Sequence, residues 1–144
     1  HTIMKKMSFI AVVVFSAITL MSFNQDFDLN ASINRGKSIY ESQCQSCHMA
    51  QGEGLEGVFP PLANSNQLGD KNRLIKVVLQ GVRGSIKVKG VEYNGEMTGF
   101  SLNDQQVADV LNFIRNNWGN REDPIRPTDI QPALKAKISN YQPY

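Results

Sequence analysis

The sequence predicts an all-α domain interrupted by one small β-hairpin. Three observations predict it. Apolar residues recur at helical spacing in three separate stretches, from about Ser32, from Asp70 and from Asn103. A short segment before Met97 instead alternates apolar and charged residues between turn signals. Between the first and second helical stretches lies Cys44-Gln45-Ser46-Cys47-His48, two thiols three residues apart followed at once by an imidazole. That pattern is the attachment signature for a c-type haem. On one helical turn, thiols at i and i+3 can reach the same porphyrin edge, and the next residue places its ring under the iron. The helices are therefore expected to pack around a covalently bound haem.

Other uses of these five residues fit less well. A zinc site needs four ligands, and the 144 residues hold two Cys and two His, one of them His1. A thiol–disulfide oxidoreductase without haem would set the thiol pair beside a βαβ pattern, which the sequence lacks. A disulfide between such close neighbours would be strained and would leave His48 without a role.

Composition allows one domain with one modest core: 41% of residues are hydrophobic and 19% charged. The formal charge is +2, and Lys5 and Lys6 account for it. Without them 13 basic residues face 13 acidic ones, which excludes a nucleic-acid partner and predicts little long-range steering of a redox partner.

In chain order, residues 1–24 read as a signal peptide or N-terminal anchor. Lys5-Lys6 is a basic n-region, and the apolar run from Phe9 to Phe23 is short for a spanning helix but right for a signal h-region. No small-x-small triplet marks cleavage, so an uncleaved anchor is the alternative. It is the one route to a membrane. Residues 25–31 read as a polar linker and 32–120 as the domain. The first helix carries Ile33, Gly36, Ile39 and Tyr40 at helical spacing. Gly36 is either a site of close helix crossing or a tolerated helical glycine.

After His48, a loop with Gly52, Gly54 and Gly57 ends in Phe59-Pro60-Pro61-Leu62. A proline carbonyl can accept the free ring N–H of an iron-bound imidazole and fix its tautomer. Pro60 is assigned that role, with Pro61 second; a rigid turn is the simpler reading. A second helix spans Asp70 to Gln80, with Leu74, Val77 and Val78 inward and Gly81 as its stop. Residues 85–89 and 91–93 form the hairpin around Gly90, and Asn94-Gly95 is expected to make a second turn that delivers Met97. The last main helix starts at Asn103 with Gln106 completing a capping box; Ser101 with Asp104 is the competing register. Its apolar stripe is Val107, Val110, Leu111, Ile114 and Trp118, with Phe113 at the edge and Gly119 as the stop. The proline-bearing segment 121–144 is expected to pack on the surface, with a short helix near Asp129 to Ile138.

His48 is the proximal iron ligand on this reading, and the sixth ligand follows by elimination. Met4, Met7 and Met21 fall in the leader, and Met49 adjoins His48 and cannot reach the opposite face. Met97 remains, a soft donor 49 residues beyond His48. Phe59, Leu62, Leu74, Val78, Ile86 and Phe100 are the expected haem lining, and Arg83, Arg73 or Tyr93 the candidates for the propionates.

With these pieces placed, residues 32–120 resemble a class I mono-haem cytochrome c. The attachment motif, the Phe59-Pro60-Pro61-Leu62 segment, Met97-Thr98-Gly99-Phe100 and the Ser101 to Gly119 helix carry the resemblance. It implies the cytochrome c fold, an exposed haem edge, and first and last helices crossing with Gly36 and Tyr40 against Val110 and Phe113. It also implies an exported, periplasmic protein, since haem is attached to such chains outside the cytoplasm. The hairpin looks similar to cytochrome domains that serve dehydrogenases or copper nitrite reductases. The function so implied is one-electron transfer between redox proteins in a respiratory or dehydrogenase/reductase chain, not catalysis. A haem enzyme or gas sensor with a displaceable Met97 is the alternative.

Overall fold

The computed structural model describes residues 2–4 and 26–144. The expected leader lies almost wholly outside them. Among the described residues no helix is long and apolar enough to cross a membrane.

The first helix, α1, runs Leu29–Gln43. It begins three residues before Ser32 because Asp28, read from sequence as linker, caps it: the carboxylate accepts from the Ala31 N–H at 3.0 Å. The linker expected over 25–31 therefore ends inside a helix. A single turn, α2 (Gln45–His48), follows after Cys44. The third helix, α3, is Lys71–Gln80, capped by Asp70 and closed by Gly81 at φ 72°. Leu74 and Val78 face the core as expected, but Ile75 is fully buried whereas Val77 is half-exposed.

The hairpin is longer than expected. Strands β2 (Ile86–Val88) and β3 (Val91–Tyr93) pair around Lys89-Gly90, whose φ values of 49° and 80° are those of a two-residue hairpin turn. An outer pair continues it: β1 (Val82–Arg83) with β4 (Glu96–Met97), in the register Val82 opposite Met97. Asn94-Gly95 is thus not a second turn. It interrupts the ladder opposite Gly84-Ser85, where the Ser85 hydroxyl donates to Glu92 at 2.6 Å.

The last main helix, α4 (Asp104–Arg115), starts with the capping box expected of Asn103 and Gln106. It stops before Trp118, which takes φ 51° and leaves the helical stripe. α1 and α4 form the most extensive helix pair. Their crossing depends on Gly36, since a Cβ there would overlap the Asp109 carbonyl and lie 2.9 Å from Phe113 Cβ. The Asp109 backbone and Phe113 are thus what Gly36 meets most closely at the crossing. Tyr40 and Phe113 do meet, at 5.3 Å between ring centroids.

The segment after residue 120 does not merely lie on the surface. A 3-10 turn (Pro127–Asp129) leads into α5 (Ile130–Lys135), and Ile125, Ile130 and Ala133 are sealed in the core beside Ile75, Val107 and Val110. Alternating small patches of buried aliphatic residues, unlike a long periodic stripe, gave little sign of this depth.

Candidate haem site

Local backbone chemistry sets the geometry around the cysteines. The Cys44 N–H caps α1 by donating to the Tyr40 carbonyl at 2.9 Å, and His48 N–H donates to the Cys44 carbonyl at 3.0 Å. Cys44 and Cys47 therefore share one turn. Both thiols are free and half-buried. Burial, with Cys47 alongside, pushes the Cys44 thiol up to about 11.

The chain turns sharply after His48. Met49 adopts φ 67°, ψ 167°, a conformation that glycine alone takes without strain. Tyr40, 1% exposed, holds it there by donating its hydroxyl to the Met49 carbonyl at 2.6 Å. Two glycines then bring the loop back. Gly54 N–H donates to the His48 carbonyl at 3.0 Å, and the Gly52 carbonyl accepts from Leu62 and Ala63 at 2.7 and 2.8 Å. A Cβ on Gly54 would overlap the Phe59 carbonyl and crowd Pro60, and one on Gly52 would lie 2.6 Å from the Trp118 ring. Without side chains at these points the Phe59-Pro60 peptide can close on His48. The Pro60 carbonyl oxygen lies 2.9 Å from His48 Nδ1.

His48 is 8% exposed, and burial lowers its basicity more than the Pro60 contact raises it, so it stays a neutral imidazole. A carbonyl can only accept, which puts the ring proton on Nδ1 and leaves Nε2 as a lone-pair donor. Nε2 makes no hydrogen bond among the described residues, and no buried side-chain nitrogen or oxygen among them lacks a partner. Nε2 therefore opens on accessible space. A neutral imidazole with one free nitrogen beside two unpaired thiols on one turn is a donor set that fits a covalent haem.

Met97 lies on β4 and is half-buried. Its segment lies against the end of α3: Phe100 N–H donates to the Val78 carbonyl at 2.8 Å. Gly81 and Gly99 permit this approach, because a Cβ on Gly81 would overlap the Met97 carbonyl and one on Gly99 the Leu79 carbonyl.

The remaining expected residues divide. Leu74 and Val78 belong to the core cluster and Leu62 packs against it; Phe59, Phe100 and Ile86 are half-buried. Ile86 sits on β2 opposite Tyr93, outside that cluster. Of the propionate candidates, Arg73 is buried and its Nε donates to the Asn140 carbonyl at 3.3 Å, Tyr93 is buried in the hairpin, and Arg83 is exposed. Arg73 is thus engaged by the C-terminal segment. The sequence does not single out the Tyr40 hydroxyl or Trp118, which hold the loop after the cysteines. The run of glycines before Pro60 is the usable signal for how tightly that loop closes.

Comparison with known proteins shows the family. A family model for cytochrome c matches residues 33–118. The chain belongs to the cytochrome c family and is a class I c-type cytochrome. A cytochrome c-552 of Thermus thermophilus is 42% identical over 133 residues, which cover 87% of this chain and 89% of that protein. The cytochrome c subunit of a gluconate 2-dehydrogenase from Pantoea cypripedii is 42% identical over 91 residues, 59% of this chain and 20% of that subunit. The cytochrome c subunit of a quinone-dependent alcohol dehydrogenase from Gluconobacter oxydans is 36% identical over 104 residues, 68% and 21% respectively. The protein is an electron carrier with haem c as its cofactor, not a catalyst in its own right.

Proposed function

We propose that this chain is an exported, periplasmic one-electron carrier whose haem is linked through Cys44 and Cys47 and whose iron is held between His48 Nε2 and the Met97 sulfur. The bound haem supplies the chemistry, a one-electron exchange between Fe(II) and Fe(III). The chain's part is to hold and tune it. The 2.9 Å contact from His48 Nδ1 to the Pro60 carbonyl is the observation that carries the reading. It fixes the tautomer, aims Nε2 and raises its donor strength, as outer partners of metal-bound imidazoles do. With haem bound, the Met97 thioether as second ligand would favour Fe(II) and raise the potential above that of a site with two imidazoles. Leu74 and Val78 in the core cluster, Leu62 packed against it and the half-buried Phe59 and Phe100 are the apolar residues that would line the haem and keep water from it.

Its partners are redox proteins, a dehydrogenase or reductase among them. The presence of similar cytochromes as dehydrogenase subunits supports this. Residues 1–24 serve as export signal or anchor, and the mass of the exported holoprotein distinguishes the two.

The reading is tested on holoprotein made in a host that ligates haem. A haem stain should survive denaturing electrophoresis, and the oxidised protein should show the weak near-infrared band of sulfur–iron ligation. Met97→Ala should abolish that band and open the reduced protein to carbon monoxide. Retention of the band in this variant refutes Met97 as ligand; a colourless product with two titratable thiols refutes the haem.

A further inference from the structure

The outer strand pair that carries Met97 is only two residues long on each side. A ladder this short is marginal by itself. Support comes from the far end of the chain. The Arg83 N–H on β1 turns away from β4 and donates to the Gln142 carbonyl at 3.0 Å, so β1 lies between Met97's strand and residues 140–144. One residue earlier, the Tyr141 hydroxyl donates to the Gly81 carbonyl at 2.7 Å. Gly81 is the cap of α3, and its carbonyl would otherwise be an orphan acceptor at a helix end. The same glycine touches both parties. A Cβ there would overlap the Met97 carbonyl, lie 2.7 Å from Tyr144 Cβ and lie 2.8 Å from the Gly99 nitrogen. Arg73 grips the Asn140 carbonyl, and the Lys76 ammonium stands 5.9 Å from the centre of the Tyr141 ring.

These contacts are not needed to seal the core. Ile125, Ile130 and Ala133 do that, and α5 ends at Lys135. What residues 140–144 add is directed at α3, through Arg73, Lys76 and Gly81, and at Arg83 on β1, the strand that pairs with Met97's.

We propose that residues 140–144 form a strap that positions the Met97 segment, with Tyr141 as its principal positioning residue, so that the thioether stays on the iron instead of swinging away. This rests on the reading of Met97 as the sixth ligand. The strap acts through backbone: it fixes Gly81 and β1, and β1 fixes β4.

The test uses the haem-loaded full chain with Tyr141→Phe, Tyr141→Ala and Met97→Ala. Tyr141→Phe keeps the ring over Lys76 and removes only the hydroxyl. Carbon monoxide binding to the reduced protein is limited by how often Met97 leaves. Its rate should rise about fivefold in Tyr141→Phe, the factor expected for one net hydrogen bond, and at least about tenfold in Tyr141→Ala. The near-infrared band of the oxidised variants should be weaker than in the parent under the same conditions. A merely structural tail would lower the unfolding midpoint and leave the rate and the band unmoved. Unchanged rates in both Tyr141 variants, with Met97→Ala binding carbon monoxide fast, overturn the strap and leave the ligand intact. If Met97→Ala itself changes nothing, the ligand reading fails and the strap with it. Should Tyr141→Ala not fold, Tyr141→Phe decides alone.

Discussion

Gly36 and Met49 sit in tight surroundings and make opposite predictions. At Gly36 the helices touch backbone to backbone, so a methyl group has nowhere to go: it would overlap the Asp109 carbonyl and press on Phe113. Gly36→Ala should gain helix propensity and still lose about 2–3 kcal/mol, because forcing two packed helices apart outweighs the propensity gain of roughly 1 kcal/mol. Denaturant unfolding of the holoprotein checks it, and a stability equal to the parent would mean the crossing is looser than the contacts imply. Met49 is the reverse case. Its φ of 67° and ψ of 167° are imposed by the Tyr40 hydroxyl and the returning loop. Such a conformation costs a non-glycine residue about 1–3 kcal/mol, and a glycine gives back roughly 0.5–1 kcal/mol in chain entropy. Met49→Gly should therefore stabilise the holoprotein by about 1 kcal/mol, seen as a higher unfolding midpoint without change in the visible spectrum. A lower midpoint would show that the Met49 side chain contributes more than its backbone costs.

At the scale of elements, what could be read in advance followed from local chemistry. Asn103 with Gln106 specified the start of α4, Gly81 specified the end of α3, and the alternation around Lys89-Gly90 specified the inner hairpin. The attachment motif and the Phe59 to Leu62 segment were equally visible, because their spacing is a chemical requirement. The misplacements were tertiary. Asp28 looks like any linker carboxylate until a helix is there to cap. Trp118 has helical spacing from Ile114 but a positive φ, because its ring is needed against Tyr40, Phe113 and Gly52, at 5.0 and 5.3 Å from the first two ring centres. The β1–β4 pair was hidden because strands of two residues carry no periodicity. The C-terminal segment was hidden because isoleucines as sparse as Ile125, Ile130 and Ile138, set among polar residues, resemble a surface stretch. Its burial is directly testable. Ile130 is completely enclosed in the core cluster. Ile130→Ala should cost about 2–5 kcal/mol, far above the roughly 0.5 kcal/mol of a surface substitution, in a thermal or denaturant melt. A cost at the surface value would return α5 to the outside of the molecule.

The whole molecule is tied together by a polar network on the side of α4 that meets α1. Asp109 accepts from the Ser32 hydroxyl at 2.6 Å and from Gln105 at 2.9 Å, and takes a two-pronged ion pair from Arg35. Asn112 extends it, donating to Ser32 at 2.9 Å and to the Ile125 carbonyl at 2.8 Å while accepting from the Ile125 N–H at 2.7 Å. Ser32 and Asn112 are fully enclosed, and every enclosed side-chain donor and acceptor among the described residues is partnered. A satisfied buried network holds one arrangement and rejects others, since any slip leaves groups unpaired in a medium that punishes it. Asn112, on α4, bonds α1 and the C-terminal segment at once, so three parts of the domain meet on one side chain. Asn112→Ala strands both polar groups of Ile125 and should cost about 3 kcal/mol, a large part of the roughly 5–15 kcal/mol that a domain has in total. The route of the loss matters more than its size. Trp118 is the single tryptophan and packs against the loop that follows the cysteines, while far-ultraviolet circular dichroism reports the helices. If α1, α4 and the C-terminal segment unfold as one unit, both signals shift together to the same lower midpoint. If the helical signal falls first and the Trp118 fluorescence holds, the C-terminal segment is a separate cooperative unit, and the strap across Gly81 could open without disturbing the centre it is proposed to guard.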